Sequence, residues 1–121
     1  MRILVLALAA VFFGGMAFYA FAAPASLAHP FRLEVGSAES RSEIRAVYGG
    51  FRLAMALVLG WSAAGESAAH SGAATAVGVA LAGMAGGRVV SRMRDGPTAF
   101  YPIWFYFLVE TVGAGAILAV A

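Results

Sequence analysis

The chain has 121 residues, 62% of them hydrophobic, and a mean hydropathy of +0.86, which is more apolar surface than a soluble fold of this length can bury. Its formal charge of +2 comes from eight arginines, no lysine and six acids scattered along the chain, which excludes a nucleic-acid face and makes a lipid bilayer the expected partner. The absence of cysteine removes disulfides, haem thioethers and thiolate metal sites, and His29 and His70 lie too far apart in sequence to read as convergent ligands; no metal and no cofactor are expected.

Residues 3–23 carry no charge and reach about 30 Å as a helix, the thickness of a hydrocarbon core. They are the first predicted span, ending before Pro24. A cleaved signal peptide is the competing reading, since Arg2, an apolar run and Ala20-Phe21-Ala22 imitate its three regions; the run is longer than a signal core, and Pro24 sits close to the cut. A polar stretch then extends from Ser26 to Arg45. Within it Ser40-Arg41-Ser42-Glu43 matches a capping box, so a second helix is expected over 40–65, entering the bilayer near Ala46.

A turn at Gly65, Glu66 and Ser67 leads to a third apolar run over 69–90. Arg92, Arg94 and Asp95-Gly96-Pro97 read as a polar turn, because Gly and Pro punctuate helices. The fourth span covers 99–120 and contains one charge, Glu110. The fold class is therefore an all-α integral membrane protein, a single domain built as a four-transmembrane-helix bundle.

Arg32, Arg41 and Arg45 fall in the first loop, and Arg88, Arg92 and Arg94 flank the third, while Arg2 stands alone at the other end. The positive-inside rule puts both arginine-bearing loops in the cytoplasm and both termini outside, in a bacterial inner membrane. The aromatic run Tyr101, Trp104, Phe105, Tyr106 and Phe107 and the isolated Trp61 mark the two interfaces.

In lipid, close helix contact depends on small residues. Ala74, Gly78, Ala82 and Gly86 recur every fourth residue on span three beside Gly83 and Gly87, which predicts this span as the central helix; span four repeats the idea with Thr111, Gly115 and Ala119, and span one with Ala10 and Gly14.

Arg52 lies inside span two and Glu110 near the middle of span four, where an ionised group costs roughly 2.5–3.5 kcal/mol or more. Both helices start from the same face, and Arg88 on the oppositely running span three leans deeper, so the three head groups are expected at one depth. Arg41, Arg45, Tyr48 and Arg52 fall at i, i+4, i+7 and i+11, which is one helical face descending from the surface. Two readings follow. In the plainer one, Arg41 and Arg45 bind lipid phosphates while Arg52 snorkels or pairs with Glu110. In the other, Arg45, Arg52 and Arg88 are donors in a cytoplasm-facing pocket for an anionic or quinone-like ligand, with Glu110 as counter-charge or proton acceptor.

Arg45-Ala46-Val47-Tyr48-Gly49-Gly50, then Gly87-Arg88-Val89-Val90-Ser91, Asp95-Gly96 and finally Glu110 make the chain resemble, over nearly its whole length, the bacterial four-helix membrane proteins catalogued as domain of unknown function 4345. The resemblance implies four helices and a membrane location but no activity. Members place an apolar segment after the Gly-Gly pair, whereas this chain has Arg52 there and Ala56 where glycine is more usual.

Three functions are weighed. An accessory or scaffolding subunit, packing its small-residue faces against a larger membrane complex or a second copy, is favoured by the short loops. A binder or carrier of a small hydrophobic or anionic molecule is the alternative. An enzyme ranks last, since the sequence contains no recognisable nucleophile–base pair, metal cluster or phosphate-cradling loop.

Overall fold

The computed structural model describes residues 1–121 and is all-helical. Helix α1 covers Arg2–Ala22, a short α2 covers Pro24–Ala28, and α3, α4 and α5 cover Ala38–Ala63, Ala68–Asp95 and Phe100–Val120. Four of them, all but α2, are long and apolar enough to cross a membrane.

The boundaries are explained by local chemistry. Ala23 leaves helical geometry and Pro24 opens α2 at its first position, where the missing N–H costs nothing. Leu27 and Ala28 then bury against Ala20 and Ile44, and a 3-10 turn over His29–Phe31 carries the chain back over one end of the bundle. This segment corrects the expected polar stretch, which is helical and partly buried in its first half.

The cap of α3 also differs from expectation. It lies at Ser37, whose hydroxyl accepts from the Ser40 N–H at 3.1 Å while the Ser40 hydroxyl accepts from the Ser37 N–H at 3.1 Å. A hydroxyl at the third position does what a Glu or Gln does in the usual capping box, and the helix starts at Ala38 rather than Ser40. Helix α4 likewise runs on to Asp95, because Arg92 and Arg94 complement the negative end of the helix dipole; it stops at Gly96, whose φ of 91° glycine alone adopts readily.

The long helices form a ring. α1 packs along α3, α3 along α4 and α4 along α5, while α1 and α5 meet only lightly. Leu6, Leu59, Val77 and Ile117, one from each long helix, meet in the shared core. The predicted central role of the third span is therefore corrected: α4 is one wall among four. Its buried positions are Ala74, Val77, Gly78, Leu81 and Ala85, an alternation of three and four. A strict fourth-residue ridge drifts by about 40° per step, which rotates Ala82 and Gly86 out of the contact. Among the glycines predicted to pack on this helix, Gly78 faces Leu118 and Ile117, whereas Gly83, Gly86 and Gly87 have no neighbouring atom within 4 Å of where a Cβ would stand. Ala82 is exposed.

The outer surface is conspicuously apolar. Val11 is 72% exposed, Val112 68% and Leu57 67%, and such residues surround the bundle. At the end that holds both termini, Arg2 donates to the carbonyls of Ser62 (2.9 Å) and Gly65 (2.8 Å), closing the C-terminus of α3.

Candidate functional site

Helices α4 and α5 run antiparallel and bring Arg88 opposite Glu110. Arg88 Nε donates to Glu110 Oε2 at 2.8 Å and Nη2 to Oε1 at 2.7 Å, the two-pronged geometry that the planar guanidinium favours. The Glu110 side chain is 5% exposed and that of Arg88 18%. Phe31 and Tyr106 flank the guanidinium, each ring centroid 5.8 Å from its central carbon. Phe31 reaches this position through the 3-10 turn, and Tyr106 through its place one turn before Glu110 on α5.

Arg52 is arranged differently. Its guanidinium lies 5.2 Å from the Tyr48 ring centroid, makes no hydrogen bond and has no carboxylate within ion-pair distance. The predicted basic strip is divided at this point. Residues Arg45–Gly50 form a π-helical segment, whose wider turn breaks the α-helical register that would align Arg41 and Arg45 with Tyr48 and Arg52. Arg45 is exposed and donates through Nε to the Phe21 carbonyl at 3.2 Å, tying α3 to the end of α1. The wide turn brings Gly49 against the Phe21 ring, where a Cβ would come within 2.8 Å of it, so any larger residue there would have to push the ring aside.

Between α1 and α5 the light contact leaves a crevice of about 450 Å³. Val5, Phe13, Val109 and Ile117 are among its apolar walls, and Leu81 and Met84 of α4 contribute to the lining. Its polar groups are Arg52, Tyr106 and Glu110. Leu8, Phe12 and Val112 line it while remaining exposed at 61%, 43% and 68%, so it opens sideways through the apolar outer surface of the bundle. A second, polar cavity of about 390 Å³ is lined by Arg88, Ser91, Arg92, Asp95, Thr98 and Trp104 among others. The ion pair contributes Glu110 to the first cavity and Arg88 to the second.

Of the residues singled out in the sequence, Tyr48, Arg52, Arg88 and Glu110 gather in one region, and Arg45 does not join them. Phe31, Tyr106 and the crevice wall on α1 were not foreseen. Tyr106, four residues before Glu110, was within reach of helical periodicity; Phe31 was hidden in a segment without a helical pattern. The histidines stand apart: His70 stacks on Trp61, centroids 4.0 Å apart, with Nδ1 2.6 Å from the Ser67 hydroxyl, and no group of three or more potential metal ligands occurs.

Residues 1–121 match the family model described as Domain of unknown function (DUF4345), so the resemblance noted from the sequence holds for the whole chain. No curated protein and no solved structure matches it.

Proposed function

The chain belongs to this family of unknown function, and from that starting point we propose that it is a multi-pass protein of the bacterial inner membrane that binds or carries a small hydrophobic molecule with a polar head. The observation that carries this reading is the crevice between α1 and α5: apolar along its walls, open through the lipid-facing surface and furnished with Arg52, Tyr106 and Glu110. Ligand sites of about this volume are mostly apolar with a few convergent polar groups. An ion pair and a free guanidinium suit recognition rather than bond making, so the reading is a binder and not an enzyme. In this setting the arginine-bearing loops face the cytoplasm and both termini face away from it.

The test is native mass spectrometry of protein extracted gently from its own membrane. A small hydrophobic molecule retained by the native chain and lost from Ala116→Phe, which fills the crevice wall, supports the proposal. Retention unchanged by Ala116→Phe removes it.

A second reading, an accessory subunit, is favoured by a different observation. The face of α4 that carries Ala82, Gly83, Gly86 and Gly87 is uncovered within the chain and lets another helix approach closely. A protein retained at fixed stoichiometry, and released by Gly83→Leu, supports it.

A further inference from the structure

We infer that the ligand of the crevice is a single-chain amphiphile with an anionic head, a carboxylate or a phosphate monoester, held by Arg52. The inference rests on the crevice reading above and deepens it, replacing an unspecified polar head by one of defined charge.

Charge balance is the first reason. The region holds two guanidinium groups, Arg52 and Arg88, and one carboxylate, Glu110, both of whose oxygens are already taken by Arg88. Arg52 lines the crevice with its hydrogen-bonding capacity unused. The other acids, Glu34, Glu39, Glu43, Glu66 and Asp95, are all exposed toward the ends of the bundle and none pairs with it. A cation held among apolar helices without an anion is costly, and the Tyr48 ring beside it supplies attraction but no acceptor for the N–H groups in its plane. A quinone carbonyl or a hydroxyl would accept one hydrogen bond and leave the charge standing. A carboxylate or phosphate accepts two and neutralises it.

Shape is the second reason. The α5 side of the crevice runs from Tyr106 to Ile117, about 16 Å at the helical rise, close to half of a ~30 Å hydrocarbon core. Only one end of that length is polar. A single hydrocarbon chain fits such a slot, with its head beside Arg52 and Tyr106 and its tail toward Val5 and Ile117.

The experiment uses detergent-purified, delipidated full-length protein and three probes of equal chain length: hexadecanoate, hexadecyl phosphate and hexadecanol, titrated above neutral pH by calorimetry. The expected result is that at least one anion binds about tenfold or more tightly than the alcohol. The order of the two anions tells a carboxylate ligand from a phosphate one. Arg52→Gln should bring that anion down to the level of the alcohol, Arg52→Lys should keep most of the preference, and Ala116→Phe should weaken every probe that binds. Equal binding of all three probes, weakened by Ala116→Phe, overturns the anionic head and leaves the crevice standing. Binding of none, or binding that Ala116→Phe does not touch, overturns both. The comparison of acid with alcohol on the unaltered chain decides the head-group charge even if Arg52→Gln does not fold.

Discussion

Arg88 holds both carboxylate oxygens of Glu110, at 2.8 and 2.7 Å, across the α4–α5 contact, while Arg52 in the same region holds none. Glu110→Gln should therefore destabilise the protein by about 3 kcal/mol, the lower part of the range for breaking a buried pair from one side, because Arg88 keeps some exposure. Adding Arg88→Met should recover part of that loss. Adding Arg52→Met to Glu110→Gln should show a smaller coupling than the Arg88 cycle, since the two side chains line one crevice but no bond joins them. Thermal unfolding of the single and double variants in one detergent checks both cycles.

The glycines of α4 should divide sharply. Gly78→Leu must displace Leu118, whose Cγ lies 2.8 Å from the position a Cβ would take, and Ile117 behind it, so about 1–3 kcal/mol of overpacking is expected. Gly83→Ala should be neutral or stabilising by up to ~1 kcal/mol, because it meets nothing and improves helix propensity. Folded yield and melting temperature of the two variants are the readout.

Opposite signs are expected at the Arg2–Ser62 contact. Arg2→Met removes two hydrogen bonds from carbonyls at the end of α3 and should cost about 1–2 kcal/mol, with faster amide exchange around Gly65. Ser62 is fully buried and its hydroxyl has no partner, so Ser62→Ala should be neutral or stabilising by ~1 kcal/mol. Exchange rates and melting temperatures measured side by side distinguish the two.

Orientation is open to a direct assay. Alkaline phosphatase fused after Ala121 should be active and a cytoplasm-dependent fluorescent reporter there should stay dark, with the reverse pattern at Asp95.

Helix number and approximate limits were legible because they depend on uninterrupted apolar runs, as in residues 3–23. That Arg52, Arg88 and Glu110 share one depth was legible for a similar reason, since depth in an antiparallel bundle is a count of residues along each helix, but which arginine takes the carboxylate was not. What escaped depends on backbone detail or on distant neighbours. Ser40 read as the cap because Glu43 follows it at the usual spacing, whereas the cap is Ser37, with Ser40 in the third position that Glu43 was expected to fill. The π-helical segment at Arg45–Gly50 leaves no mark in hydrophobic periodicity, yet it separates Arg45 from Arg52. The crevice is created by the slack between the first and last long helices, and no local pattern encodes a missing contact.

That slack has a mechanical consequence. Each of the other adjacent pairs of long helices is joined by its own connecting segment, whereas α1 and α5 are neighbours only because the ring closes. Their border is the single seam of the barrel of helices that can part without straining a peptide linkage, like the two free ends of a split collar. Side-chain packing alone sets its width, so in the membrane setting proposed above the lateral pressure and chain composition of the lipid should govern how readily a molecule slips in, more than any motion of the loops.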